Sequence, residues 1–254
     1  MKKEVIGIIP ARYASTRFPG KPLVDIKGKT LIQRTYENAK RASSLKALIV
    51  ATDDQRIFDH VESFGGDVVM TSPHWLTGSD RLAEVLQNEP EWNKADVIVN
   101  IQGDEPCLDP EAIDAVCAIL INDPEAVMST AITPLKNEAD VYNPYIVKCV
   151  VDSFGTVIYF SRAMIPNNKT GKYNPETSYF RHLGLYAYRP SFLLLYQQLP
   201  ATPLQMAEDL EQLKVLEHGF RIKAALVDEA AIGVDTPQDI QKVEQWLCRQ
   251  NTSS

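Results

Sequence analysis

Short apolar runs rich in β-branched residues recur at 5–9, 47–51, 68–70 and 97–101. Between them lie helical patterns beginning near Leu31, Gln55 and Ser79, and a further one starts near Pro110. Strands alternating with helices predict parallel βαβ units, with helices on both faces of one sheet. The runs are apolar at successive positions rather than at every second one, as strands covered from both sides require. The first 120 residues therefore read as an α/β sheet.

The pattern then changes. Residues 127–133, 146–160 and 184–188 are strand-like with little helix between them, which predicts antiparallel strands added to the parallel half. Asp152-Ser-Phe-Gly-Thr156 has turn chemistry between two such runs and predicts a hairpin. Residues 203–218 read as one long helix ended by Gly219, and 222–227 as a strand. Thr236-Pro237-Gln238-Asp239 supplies an N-cap threonine, a first-turn proline and a first-turn acid for a last helix to about Arg249, with a frayed tail at 251–254. No repeat or low-complexity linker interrupts the 254 residues, so the expectation is a single domain with a mixed sheet between helical layers, strand-rich over 130–185.

Composition serves to exclude. A formal net charge of −7 gives no global attraction to nucleic acid or an anionic membrane, so a polyanion has to be held by a local basic cluster. The apolar runs fall far below the roughly 20 residues of a membrane span. The first residues lack both the length of a signal-peptide core and a cleavage-like site. Cys107, Cys117, Cys149 and Cys248 are scattered, with no C-x-x-C pair, so neither a zinc site nor a disulfide framework is expected. Free thiols suit a reducing compartment, and the chain is read as cytoplasmic.

The loop after the first strand, Pro10-Ala-Arg-Tyr-Ala-Ser-Thr-Arg-Phe-Pro-Gly-Lys-Pro22, places Arg12, Arg17 and Lys21 at the carboxyl end of a parallel strand. Open α/β sheets bind ligands there, and these side chains hold phosphate through charge-assisted hydrogen bonds. Gly20-Lys21 lacks the rest of a Walker A loop, and no G-x-G-x-x-G fingerprint exists, so kinase-type and dehydrogenase-type readings lose weight. In Asn100-Ile-Gln-Gly-Asp-Glu-Pro106 a carboxylate at the strand end suits Mg²⁺, although an Asp-Glu-Pro turn alone is ordinary. Asp235, in Gly233-Val-Asp-Thr-Pro237, is either a complement to a helix N-terminus or a second acid converging with Asp104.

Taken together, P-A-R-Y-A-S-T-R-F-P-G-K-P-L, A-T-D-D, G-S-D-R-L-A-E-V, V-N-I-Q-G-D-E-P, Y-F-S-R-A-x-I-P, F-R-H-L-G-L-Y-A-Y-R, L-E-Q-L-K-V-L and G-V-D-T-P-x-D resemble the CMP-Kdo synthetase family in its own order, from about Ile6 to Val243. The resemblance implies a Rossmann-like nucleotide-diphospho-sugar transferase fold, three-layered with a strand-rich dimerisation insertion. It implies a homodimer that makes CMP-Kdo from CTP and 3-deoxy-manno-octulosonate (Kdo) for lipopolysaccharide synthesis, with no nucleic-acid or membrane partner. By the same resemblance Arg12, Arg17 and Lys21 meet the CTP phosphates, and Ala11, Ser79, Arg81 and Gln102 lie around the cytidine. Ser79 stands where the family has threonine and keeps the hydroxyl. Asp104 and Asp235 are implied as Mg²⁺ ligands, and Arg162, His182, Tyr186, Glu211 and Gln212 as the lining of the sugar pocket. Asp209 replaces an apolar residue usual in that helix motif.

A histidine in an apolar strand is more often a satisfied core residue than a ligand, and Arg181 beside His182 faces the other way. Arg162, with its planar fork, is then the expected partner of the Kdo carboxylate. Glu211 and Gln212 fit a solvated helix face or the acceptors and donors that a polyhydroxylated sugar needs. Synthetases for amino-Kdo or sialate are the nearest rivals. The loop argues against sialate, and a non-catalytic nucleotide-binding regulator is the alternative from another class.

Overall fold

A computed structural model of the chain describes residues 3–14, 18–75, 77–89, 92–228 and 231–252. Arg17 lies outside the described residues. β1 (Val5–Ala11) is followed by a 3-10 turn at Lys21–Leu23, a small hairpin of β2 (Asp25–Ile26) and β3 (Lys29–Thr30), and α1 (Leu31–Ala39). Then come β4 (Leu45–Thr52), α2 (Gln55–Ser63), β5 (Asp67–Met70), α3 (Gly78–Asn88), β6 (Val97–Asn100) and α4 (Pro110–Asn122). Thr30, Asp54, Thr77 and Asp109 each accept a backbone N–H of the first turn that follows. Such caps are worth about 1 kcal/mol apiece, so the four helix starts are locally encoded.

The second half contributes β7 (Met128–Leu135), α5 (Glu138–Tyr142), β8 (Lys148–Val151), β9 (Val157–Ser161), β10 (Tyr179–Tyr188), α6 (Pro190–Gln198), α7 (Pro203–Glu208), α8 (Leu213–Glu217), β11 (Ile222–Leu226) and α9 (Asp239–Thr252). The main path of the nine-stranded sheet runs β11-β7-β10-β6-β1-β4-β5, with β8 paired to β10 and β9 to β8. β1, β4, β5 and β6 are parallel, and β10 runs antiparallel to both β6 and β7. The mixed sheet expected after residue 120 is thus present, and 152–156 does turn a hairpin between β8 and β9.

Side chains alternate across the sheet and fill two cores. Val50, Val99 and Leu185 face Ile32, Tyr36, Val61 and Val116 of α1, α2 and α4, whereas Ile8, Ile49, Ile98 and Ile132 face Leu82, Leu86, Leu193 and Leu213 of α3, α6 and α8. Each fully buried Val, Leu or Ile contributes about 1.5–3 kcal/mol over its exposed state. A third cluster, Ile26, Leu31, Val234 and Val243, seats α9 against the β2–β3 hairpin.

The single helix expected over 203–218 is instead two, broken at Asp209 with φ 52°. Arg162 causes the break to persist: its Nε donates to the Glu208 carbonyl at 2.7 Å and its Nη2 to the Asp209 carbonyl at 3.1 Å, satisfying acceptors that the lost turn frees. α6 was not expected, and α9 begins at Asp239 rather than beside Thr236. There the Asp239 carboxylate accepts from the backbone N–H of Asp235 and Thr236 and from the Thr236 hydroxyl, so the acid does the capping.

Candidate active site

The basic loop folds back on itself through Gly20, whose φ of 71° and N–H donation to the Tyr13 carbonyl at 2.9 Å close the turn. A Cβ at Gly20 would lie 3.1 Å from the Tyr13 ring, so glycine is needed for space as well as conformation. On its other side Tyr13 carries the Arg56 guanidinium, 3.3 Å from the ring centroid and itself held by Asp54. Lys21 is thereby returned to the carboxyl ends of β1 and β6. Ala11, Arg12, Lys21, Arg81, Gln102 and Asp104 line one cleft there, of about 410 Å³. Ser79 sits one residue beyond Gly78 of that lining and is buried, with its hydroxyl 3.4 Å from that of Tyr188.

Arg81 is buried outright and shows how a charge is afforded there. Its guanidinium donates to Thr71 and pairs with Asp53 at 2.9 Å. Asp53 belongs to the A-T-D-D motif, and its partner sits 28 residues on, which is why sequence spacing did not reveal the pair.

Lys21 Nζ lies 2.6 Å from Asp104 and 3.9 Å from Asp235. The loop carrying Asp235 is fastened where it must be, because Val234 N–H donates to the Asp104 carbonyl at 2.8 Å. Two acids far apart in sequence therefore flank one ammonium. Glu105 beside them is the other carboxylate of the strand-end motif, which the sequence reading left unassigned. Its pKa is raised to about 7, first by loss of hydration and then by the charges of Asp104 and Asp235, against the pull of Arg181. Its buried Oε2 has no hydrogen-bond partner among the described residues. All-oxygen donors with a cation between them, and an unsatisfied buried oxygen alongside, suit a hard divalent cation that completes its shell with substrate phosphates.

Gln102 of the cleft is tied to β10, which carries His182 and Tyr186 on the sheet face toward α3 and α6. In β10 the register to β7 slips between Leu183 and Tyr186, so that His182 faces Ile132 and Tyr186 faces Thr130. Residues four apart on a regular strand stand about 13 Å apart. The bulge brings the His182 and Tyr186 rings to 5.4 Å. The bulge carbonyls are satisfied by side chains: Thr130 donates to Leu185 at 2.9 Å, and Gln102 Nε2 donates to Gly184 at 3.1 Å. Since the one Thr130 hydroxyl proton is used, its 3.0 Å contact to His182 Nε2 has the imidazole N–H donating.

His182 is only 8% exposed and packs edge-on against Phe160. Burial, helped by Arg181, pushes its pKa down to about 3, so it is a neutral ring that backs Tyr186. The Tyr186 hydroxyl, held neutral by burial first, reaches Gln212 Oε1 at 3.4 Å. Glu211 keeps solvent-facing surface over a packed face. Lost hydration and then Asp80 raise its pKa, with Lys214 and Arg12 opposing, and the open surface limits that rise. Arg162, expected to hold a carboxylate, also spends Nη1 on the Pro144 carbonyl at 3.3 Å, so its fork is occupied by the Asp209 corner.

The cytidylyltransferase family model matches residues 6–223. The chain is 65% identical to 3-deoxy-manno-octulosonate cytidylyltransferase of Protochlamydia amoebophila, over 99% of this chain and 97% of that one. It is 52% identical to the mitochondrial enzyme of that name from Arabidopsis thaliana, over 99% of this chain and 86% of that one. Among solved structures, CMP:2-keto-3-deoxy-manno-octonic acid synthetase complexed with CTP superposes with a TM-score of 0.91 at 37% identity, covering 98% of this chain and 100% of that one. A 4-diphosphocytidyl-2C-methyl-D-erythritol synthase shares the fold, with a TM-score of 0.65 at 16% identity, covering 97% of this chain and 99% of that one. A cleft lined by Arg12, Lys21 and Arg81 at the strand ends, the full-length identity and the shared architecture all agree: the chain is a member of the 3-deoxy-manno-octulosonate cytidylyltransferase family.

Proposed function

We propose that this chain transfers the cytidylyl group of CTP to the anomeric hydroxyl of Kdo, giving CMP-Kdo and pyrophosphate. The observation that carries the reading is the joining of two half-sites. Arg12, Lys21 and the acid pair stand at the ends of β1 and β6, and Tyr186 of the neighbouring strand β10 reaches Gln212 at the start of α8. The hydroxyl oxygen of Kdo bonds to the α-phosphorus as the bond to pyrophosphate breaks on the opposite side, and the hydroxyl proton is released to water. Arg12, and Lys21 once it leaves the acid pair, hold the departing charge by electrostatic stabilisation. Tyr186, Glu211 and Gln212 orient the sugar so that attack is in line. No protein nucleophile takes part.

Asp104 and Asp235 would hold Mg²⁺, and the ion when bound would supply charge neutralisation and polarisation of the reacting oxygens. Lys21, now between these acids, is free to turn toward phosphate once a stronger cation takes its place. The reading includes a cytoplasmic location, for which the buried free thiols of Cys107, Cys117 and Cys149 speak. No helix among the described residues is long and apolar enough to cross a membrane. It also includes a single domain and a homodimer through the 130–185 region. There Tyr145, Phe154 and Ile158 expose large apolar side chains, and β9 pairs with β8 alone among the described strands.

The test is pyrophosphate release from CTP with Kdo, amino-Kdo and N-acetylneuraminate in parallel. Release with Kdo, abolished by EDTA and restored by Mg²⁺, is expected. Release with another sugar acid alone moves the specificity, and silence with all three returns the chain to the regulator reading.

A further inference from the structure

Asn100 closes β6 on the sheet face covered by α3 and α6, and its partners across the ladders are Ile8 on β1 and Tyr186 on β10. The residue is 3% exposed, and its Oδ1 is shut from solvent with no hydrogen-bond partner among the described residues. A buried amide carbonyl in that state costs about 1–3 kcal/mol. Such a group in a native fold has a cause.

Gly78, the first residue of α3, points to it. Gly78 is not among the glycines with left-handed backbone, so conformation does not call for glycine there, but space does. A Cβ at 78 would lie 3.2 Å from Pro10 Cγ and 3.5 Å from Asn100 Nδ2. Gly78 and Pro10 both line the cleft, so the missing side chain leaves a notch no larger than a Cβ in its wall, with Asn100 Nδ2 directly behind it. An uncharged amide that both donates and accepts matches a hydroxyl, whereas phosphate is already served by Arg12 and Lys21.

We propose that Asn100 is a specificity-determining residue that holds a substrate hydroxyl, of the ribose or of the sugar acid, in the notch left by Gly78. The inference rests on the nucleotidyl-transfer reading above. In the test, Asn100→Leu replaces the amide by an apolar group of the same branching, and Asn100→Ala covers the case in which leucine overpacks. Steady-state constants are measured for CTP, 2′-deoxy-CTP, 3′-deoxy-CTP and Kdo, beside the melting temperature of the ligand-free protein. With the orphaned amide gone, Asn100→Leu is expected to melt about 2–4 °C higher, while one substrate's KM rises roughly 3- to 10-fold. If the hydroxyl is the ribose's, the KM for CTP rises and the preference over one deoxy analogue shrinks by the same factor. If it is the sugar's, only the KM for Kdo rises. Gly78→Ala, which fills the notch, is expected to raise the same KM.

The proposal is overturned if both KM values stay within about twofold in both Asn100 variants. It is equally overturned if Gly78→Ala and Asn100→Ala act on different substrates, or if every constant worsens together with a lower melting temperature, the mark of a purely structural role. An active wild-type enzyme with indifferent variants sinks this inference alone, and a wild-type enzyme silent toward CTP and Kdo sinks the reading beneath it as well.

Discussion

Asp104 shares its charge with Lys21 at 2.6 Å in a partly open cleft, where an ion pair contributes at most about 1 kcal/mol to stability. Asp104→Asn is therefore expected to leave the melting temperature within a few degrees while lowering kcat roughly 100-fold or more, the scale of losing a group that stabilises transition-state charge. Calorimetry and pyrophosphate release on one preparation check both halves, and near-full activity would remove Asp104 from the metal assignment. His182 predicts a pH effect with a definite sign. Its imidazole titrates near 6.5 when unfolded and near 3 in the fold. Between those values the unfolded chain binds a proton that the native chain refuses. Stability is complete above about pH 6.5 and falls as pH drops toward 3, by about 2 kcal/mol at pH 5. Urea midpoints at pH 7.5 and 5 are expected to separate less in His182→Gln than in the wild type. Equal separations would show that other groups set the acid limb.

Where an element begins is written nearby in the chain, and where it breaks is not. The starts at Leu31, Gln55 and Pro110 are legible because Thr30, Asp54 and Asp109 cap them from one residue away. The break at 209 was illegible because an aspartate, not a glycine, takes the left-handed turn and because Arg162, 47 residues earlier, holds its carbonyls. α6 escaped for another reason: Phe192, Leu193 and Tyr196 bury one side while Leu194 and Leu195 keep the other apolar, so no amphipathic stripe marks it. The candidate site divides the same way. Its basic loop and acids were legible as residue types in strand-end motifs, but the Lys21–Asp104 contact spans 83 residues and only the sheet brings it about. Arg162→Ala is expected to cost at least about 2 kcal/mol by stranding carbonyls of the corner. Asp209→Gly, which relieves a left-handed aspartate, is expected to be neutral or to stabilise by up to about 1 kcal/mol. Denaturant melts of the two variants check both signs, and a destabilised Asp209→Gly would mean that the carboxylate's 3.7 Å approach to Arg162 outweighs backbone strain.

Across the whole molecule, the hairpin of β8 and β9 is set in place at both ends. Lys148, fully buried, donates to the carbonyls of Asn143, Ile146 and Arg162, and at the far end Gly155 accepts from Ala224 N–H of β11 at 2.8 Å. A rigid, apolar outer strand is suited to a second copy of the chain. Ile158→Lys is expected to shift the species in light scattering from the mass of two chains toward that of one. An unchanged mass would move the interface elsewhere. β10, meanwhile, joins the parallel half of the sheet at β6 to β7, and its two inserted residues fix how His182 and Tyr186 stand relative to Gln102 and Thr130. Because side chains alternate, loss of one residue at 184–185 would turn everything before it to the opposite face, whereas loss of both would keep the faces, leaving His182 and Tyr186 as ordinary same-face neighbours about 7 Å apart, and would remove the bulge carbonyls that Thr130 and Gln102 hold. Chain length at this one point thus decides which side chains the strand presents to which face, whatever their identity.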